Sequence, residues 1–531
     1  MYDILLKNGT IIDGTGNRRF RGDVAIREEH IAAMGDLRDA EAHRVIDATG
    51  LFITPGFIDV NNHSDSYWQL FANPSLESLI YQGITTIVGG NSGSSLAPLS
   101  GPKAIRSIQK WTDVEKINLD WLSMEDFLTA VYRRRPATNF ATLVGHGTLR
   151  RGAMHDETRV ITPQEIRLME GFLEGALRQG AIGFSTGLLY THAKGAKARE
   201  LATLVSRVAK YRGIYATYIR NEGSGLIGAV EEALQTARTT HARLHISHLK
   251  AVGPENWALF GEALGLIENA ALSGLDVSFD VYPYTTTGSV LYTLFPEWIT
   301  KDGRKMMLQK LRDPQVRASV LRDLRAQKLD YEEIFITSSS LVKMLSRRKI
   351  GDIARLQGKS PEETLLDFLV ASEGRAIVSL RMLAPQNIAA AIKHPFSIIA
   401  TNGAGYSLGQ KKSGDLVHPR NFGTFPRVLR KFVREEKLLT WEEAIHKMTG
   451  RPAHKFGIEK RGILERGHFA DVAIFDPKTF ADKATLEDPY QYAVGLRHLI
   501  VNGEFALRSG RLSEKRFGKV LGRKRRFTWF W

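Results

Sequence analysis

The chain has 531 residues, 43% of them hydrophobic and 24% charged, ordinary values for a soluble globular protein and enough length for a large barrel with a smaller second unit. It contains no cysteine, which excludes disulfides, thiolate nucleophiles and cysteine-held zinc. No apolar run reaches the roughly 18 residues of a membrane span, and the start, Met1 to Thr10, lacks a signal-peptide layout, so the expected location is the cytoplasm.

In chain order, segments 3–13, 23–33 and 44–46 alternate like strands, with Asn8-Gly9 as a hairpin signal. Eight short apolar, β-branched runs follow, at 52–60, 84–90, 140–146, 181–186, 214–219, 243–249, 276–284 and 396–402. Amphipathic stretches at 163–179, 198–211, 226–239 and 257–272 lie between them. Buried parallel strands read as near-continuous apolar runs, and eight of them with intervening helices indicate an α/β chain folded as a (β/α)₈ TIM barrel. Strand-like alternation returns at 471–475 and 499–507, around Asn502-Gly503. The expected domains are a small β-sandwich built from both termini (1–54 and 455–531) and a barrel over 55–454. A lid subdomain is expected at 287–351, helical around 306–324, because that stretch is long for a βα connection.

The net charge of +16 falls partly on a tail where Lys515, Arg516, Lys519, Arg523, Lys524, Arg525 and Arg526 precede Phe527, Trp529, Phe530 and Trp531. Such a tail could meet nucleic acid or anionic lipid. The rest of the chain carries no nucleic-acid motif, so neither nucleic acid nor membrane is an expected partner. The tail then reads as solubilising, with its aromatics docked on the chain's own surface or on a sister subunit, and self-association into a homo-oligomer is compatible with that.

Active sites of such barrels sit where the strands end. The ends of the eight runs carry Asn61, His63, Ser92, His146, Tyr190, Tyr218, Arg220, His248, Lys250, Tyr282, Tyr284 and Asn402. Convergent polar groups around one mouth make a candidate site, with three histidines among them. Lys250 at a strand end suits an anion.

Several blocks carry a resemblance. They include Pro55-Gly56-Phe57-Ile58-Asp59, Ser95-Leu96-Ala97-Pro98-Leu99, Gly145-His146-Gly147-Thr148-Leu149-Arg150 and Ser185-Thr186-Gly187-Leu188-Leu189-Tyr190. To these add Ile246-Ser247-His248-Leu249-Lys250, Asp280-Val281-Tyr282-Pro283-Tyr284, His418-Pro419-Arg420 and Gly423-Thr424-Phe425-Pro426-Arg427. Near the end come Gly467-His468-Phe469-Ala470-Asp471 and Val501-Asn502-Gly503. Together they resemble the N-acyl-D-amino-acid deacylases of the amidohydrolase superfamily over nearly the whole chain. The resemblance implies one or two zinc ions, held by a His-x-His pair, a cysteine, two further histidines and an aspartate that serves as general base. The metal would activate water and polarise the scissile carbonyl. It also implies that Tyr190, Lys250, Tyr282 and Tyr284 lie near the substrate, with Lys250 meeting its carboxylate.

This chain departs from that pattern at four of the six positions. Asn61 stands for the first histidine, Ser92 for the cysteine, Tyr218 for the strand-5 histidine and Asn402 for the aspartate; only His63 and His248 remain. Amide, hydroxyl and phenol groups are poor zinc ligands, and Asn402 cannot act as a base. The expectation is therefore no cofactor, with zinc on His63 and His248 as the weaker alternative. The substrate would be a small carboxylate-bearing acylated amine or amide. Tyr218, His248, His63 and Lys250 are the acid–base candidates, and Lys250, Tyr190, Tyr282, Tyr284, Arg220, Asn402, Ser92, Asn61 and His146 are the binding candidates. Three readings stay open: metal-independent or altered chemistry in the retained pocket, a catalytically inactive binding or partner subunit, and a conventional metal-dependent amide hydrolase with an unusual mononuclear site. Engineering of the four positions is a fourth.

Overall fold

The computed structural model describes residues 1–522 apart from 110, 111, 115, 116, 118, 156, 328 and 340–342. The eight apolar runs become eight parallel strands: β1 (Phe57–Asp59), β2 (Ile84–Gly89), β3 (Asn139–Gly145), β4 (Gly183–Gly187), β5 (Ile214–Tyr218), β6 (Arg243–Ile246), β7 (Val277–Val281) and β8 (Ser397–Ile399). They pair in chain order from β1 to β8. The ring closes at the mouth, where a parallel bridge joins Asn62 to Gly403 and the His63 amide donates to the Gly403 carbonyl at 2.7 Å. Ile58, Val88, Leu143, Ile182, Ile214, Ala216 and Ile398 fill the interior, with Ala453, Phe456 and Ile458 in the same cluster. Buried on both faces, these strands need no polar alternation, which is why they read as unbroken apolar runs.

The outer helices follow their local signals. Pro163–Arg178 starts behind Thr162, whose hydroxyl accepts from the Glu165 amide while the Glu165 carboxylate accepts from the Thr162 amide. Ala198–Lys210, Leu226–Thr240 and Leu259–Leu272 each bury one apolar face.

Both termini join in one nine-stranded sheet, with Phe52–Pro55 from the N-terminal part paired to Val472–Phe475 from the C-terminal part. Ile4, Leu6, Val24, Ile26, Ile53, Val472 and Ile474 form its core. Asn502-Gly503 makes the expected hairpin turn between Leu496–Val501 and Glu504–Arg508, with positive φ at both residues. Asn8-Gly9 does not: it lies inside strand Tyr2–Ile11, where the register shifts between Leu6 and Gly9, so the left-handed Asn8 marks a bulge and not a turn.

The inserted unit extends further than 287–351. Its three-stranded sheet pairs Ala376–Arg381 with both Thr286–Val290 and Ile334–Ser339. The helical stretch is two helices, Arg304–Lys310 and Pro314–Ala326, the second capped by Asp313 with proline in its first turn. Of the basic tail, Arg516 donates to the Arg135 carbonyl at 2.6 Å and Lys519 pairs with Glu29, so its described part docks on the chain itself. Arg523 to Trp531 lie outside the described residues. No helix among the described residues is long and apolar enough to cross a membrane.

Candidate active site at the barrel mouth

Seven of the expected residues meet around one small cavity of about 20 Å³: His63, Ser92, Tyr190, Tyr218, His248, Lys250 and Asn402. Each lies just beyond or at the end of a barrel strand, so the strand ends fix their Cα positions to the sheet. Three of them are held in the left-handed region that non-glycine residues avoid: Ser92 (φ 53°), His248 (φ 38°) and Asn402 (φ 45°). Backbone of that kind persists only where the surroundings enforce it, and it gathers at functional sites. The inserted strand Thr286–Val290 roofs the cavity with Thr287, Gly288 and Ser289. The space holds about one water.

The polar contacts fall into two groups. On one side, His63 Nε2 lies 2.9 Å from Asn402 Oδ1, so the nitrogen donates and the amide oxygen accepts. On the other side, four buried side chains form a cluster. Lys250 Nζ donates to Glu222 Oε1 and lies 2.9 Å from His248 Nδ1. Glu222 Oε1 is also 3.2 Å from His248 Nδ1, and Glu222 Oε2 accepts from the Tyr218 hydroxyl at 3.2 Å. The Tyr218 ring meets His248 edge-on at 4.4 Å and Tyr190 at 5.4 Å.

The charge states are set by this packing. Burial pushes the Glu222 carboxyl up, but Lys250 and His248 outweigh it and hold the group below its ordinary range, as a carboxylate. Burial and the Lys250 charge push His248 down, so its imidazole is neutral at neutral pH. Burial and the Glu222 charge push the Tyr218 phenol well up, so it stays protonated and can only donate to Glu222.

Five expected residues lie elsewhere. Asn61 is fully buried and turns its amide onto Asp280, 3.2 Å from both carboxylate oxygens, while Asp280 also accepts from His245 Nε2 at 2.9 Å. His146 opens the helix His146–Met154, which carries its ring outward to Glu200 at 2.8 Å; that buried carboxylate also takes Arg150. Arg220 does not face the mouth: its guanidinium pairs with Glu232 at 2.8 Å and caps the Ala196 carbonyl at 3.0 Å. Tyr282 donates to Thr287 at 3.3 Å and lies under the Arg420 guanidinium. Tyr284 donates to the Pro419 carbonyl at 3.4 Å, beneath Arg427. Neither tyrosine lines the small cavity.

Two functional candidates escaped the sequence reading. Glu222 organises the cluster, two residues past Arg220. Arg420 is only 8% exposed and lines the cavity, yet its Nε and Nη1 meet no hydrogen-bond partner among the described residues. It stands in the His418-Pro419-Arg420 block, and that block was the available signal. Lys250, the expected carboxylate partner, is already paired with Glu222.

The Amidohydrolase family pattern matches residues 44–506. A D-aminoacylase of Alcaligenes xylosoxydans xylosoxydans is 34% identical over 98% of both chains. An N-acyl-D-glutamate deacylase of the same organism is 35% identical over 94% of this chain and 93% of its own. Among solved structures, the N-acyl-D-glutamate deacylase of Bordetella bronchiseptica, complexed with zinc and a phosphonate mimic of the tetrahedral intermediate, superposes with a TM-score of 0.83 at 33% identity, covering 98% of this chain and all of that one. These relatives give no support to the expectation of a cofactor-free site, since that one holds zinc and a binuclear metal centre is described for D-aminoacylase.

Proposed function

The chain belongs to the amidohydrolase family, and we propose that its mouth takes a small carboxylate-bearing N-acyl compound of the N-acyl-D-amino-acid kind. It acts at the amide C–N bond, or by a related reaction in the same pocket, without zinc. The observation that carries this reading is Arg420: a buried guanidinium with two unpartnered nitrogen donors on the cavity wall suits a carboxylate ligand. A buried charge left unpaired is costly, so a ligand that pairs it gains correspondingly.

The donor set argues against zinc. Of the six positions where the resemblance implies ligands, Asn61 is committed to Asp280, Tyr218 keeps its proton, Ser92 and Asn402 are neutral, and two histidines are left. The Lys250 ammonium sits 2.9 Å from His248 Nδ1, a positive charge against one of those two imidazoles. Zinc sites have at least three protein ligands. Among the described residues, no group of three or more His, Asp or Glu is arranged to hold a metal ion.

The chain's own residues supply proton chemistry instead. With Nδ1 turned towards Lys250 and Glu222, the neutral His248 keeps Nε2 to exchange a proton with a bound ligand or water. The Ser92 hydroxyl lines the same cavity and can donate to a polarised carbonyl. Asn402 orients His63 and takes no proton.

A second reading, a binding subunit without turnover, is favoured by Asn402, which puts a group that cannot act as a base just beyond the last strand. The test for both is a panel of N-acyl-D-amino acids offered to protein prepared and kept in chelator. The expected result is saturable binding with turnover that chelator does not change. Binding without turnover selects the second reading, turnover that appears only with added zinc contradicts the first, and absence of binding contradicts both.

A further inference from the structure

A much larger space adjoins the mouth. A cleft of about 780 Å³ lies between the strand ends and the inserted unit, and it shares Ser92 and Tyr190 with the small cavity. The small cavity has room for about one water, so the bulk of any acylated amino acid must lie on the cleft side.

The cleft is lined by six cationic side chains, Arg106, Arg151, Arg304, Lys305, Arg312 and Arg375, against three acids, Asp113, Asp302 and Glu373. Glu373 lies 3.6 Å from Arg304 and 3.5 Å from Arg375, and Asp302 lies 2.6 Å from Lys310, which is not part of the lining. Lys305 and Arg312 are exposed and form no ion pair among the described residues. Apolar wall is supplied by Val114, Met307, Leu308 and Ile377. On the cleft's inner wall, burial first, then Arg151 and Arg150, push His192 down to about 2.

We propose that this cleft is an acyl-group subsite for N-acyl substrates whose acyl chain is several carbons long and ends in an anion, a carboxylate or a phosphate-type group, received by Lys305 and Arg312. The chain's apolar middle lies along the Met307 and Leu308 wall, and its amide reaches the mouth past Tyr190. The inference rests on the mouth binding an N-acyl amino acid, and it adds which acyl groups are preferred.

The experiment compares N-adipoyl-D-leucine, N-hexanoyl-D-leucine and an N-(5-phosphonopentanoyl)-D-leucine by calorimetric titration into the full chain. Parallel titrations use the double variant Lys305→Ser, Arg312→Ser. The adipoyl or phosphono compound should bind at least about tenfold more tightly than the hexanoyl compound, an advantage that shrinks with salt. The double variant should lose most of that advantage while its hexanoyl affinity stays the same. Whichever anion gives the larger advantage identifies the acyl class. Equal affinity for all three ligands overturns the subsite and leaves the mouth reading standing. Absence of binding by all three overturns both. Both side chains are exposed, and an unchanged melting temperature of the double variant confirms that a lost advantage is not a folding defect.

Discussion

Two deeply buried arginines mark the two ends of the barrel, Arg461 below the strands at 4% exposure and Arg420 above them at 8%. Arg461 is satisfied by the protein. It pairs with Asp471, donates to Asn502 Oδ1 at 2.7 Å and stacks 4.0 Å from the Phe469 ring. Asp471 accepts in turn from Asn139 at 3.0 Å and from the Asn502 amide at 2.9 Å, and Asn502 reaches the Phe517 carbonyl at 2.7 Å. This network ties the first residue of β3, the terminal sheet and the C-terminal segment together. Arg420 has no such network, and the three left-handed residues Ser92, His248 and Asn402 crowd its end of the barrel. Polar groups matched internally hold the fold, whereas under the proposed function the unmatched donors of Arg420 receive the ligand.

The largest effect should come from the floor. Asp471→Ala leaves Arg461 buried and unpaired, a loss of about 3–5 kcal/mol in urea unfolding, with unchanged ligand affinity in the folded fraction. A variant as stable as the parent would break the comparison. At the mouth the pattern should reverse. Arg420→Met should weaken N-acyl-D-amino-acid binding by about 10–100-fold, the worth of hydrogen bonds to a charged group. It should leave the melting temperature equal or higher, because an unpaired buried charge is gone. Full affinity in that variant would contradict the role of Arg420.

The smallest effect tests an exception at the floor. Lys447 donates to the His394 carbonyl and to Ser397 Oγ at 2.8 Å, and burial pushes it down to about 7. The unfolded chain holds that proton up to the usual lysine range, while the folded chain releases it near pH 7. Between those limits the unfolded state binds more protons, so stability rises with pH. The gain is about 1 kcal/mol from pH 7 to pH 8. Unfolding curves at the two pH values should show it, and Lys447→Met should flatten it.

The barrel was legible because its strands are buried on both faces and its helices carry caps and amphipathic spacing. The inserted unit's true extent was not, because Ala376–Arg381 pairs with strands far away in sequence and its local pattern does not say with which. The mouth was half legible. Strand ends place Cα atoms, so His63, Ser92, Tyr218, His248 and Asn402 could be placed together. Side-chain direction depends on the segment into which each strand leads. A helix begins at His146 and turns its ring outward to Glu200. Arg220 likewise finds Glu232 on Leu226–Thr240. Glu222 and Arg420 sit on segments beyond the strands, and only the folded chain brings them to the cavity.

Calorimetric titration of zinc into chelator-stripped protein, with deacylase activity measured alongside, tests the central claim most directly. The account predicts no saturable zinc binding at micromolar concentrations and no gain in activity. One or two zinc ions bound per chain at submicromolar affinity, with activity rising in step, would contradict it.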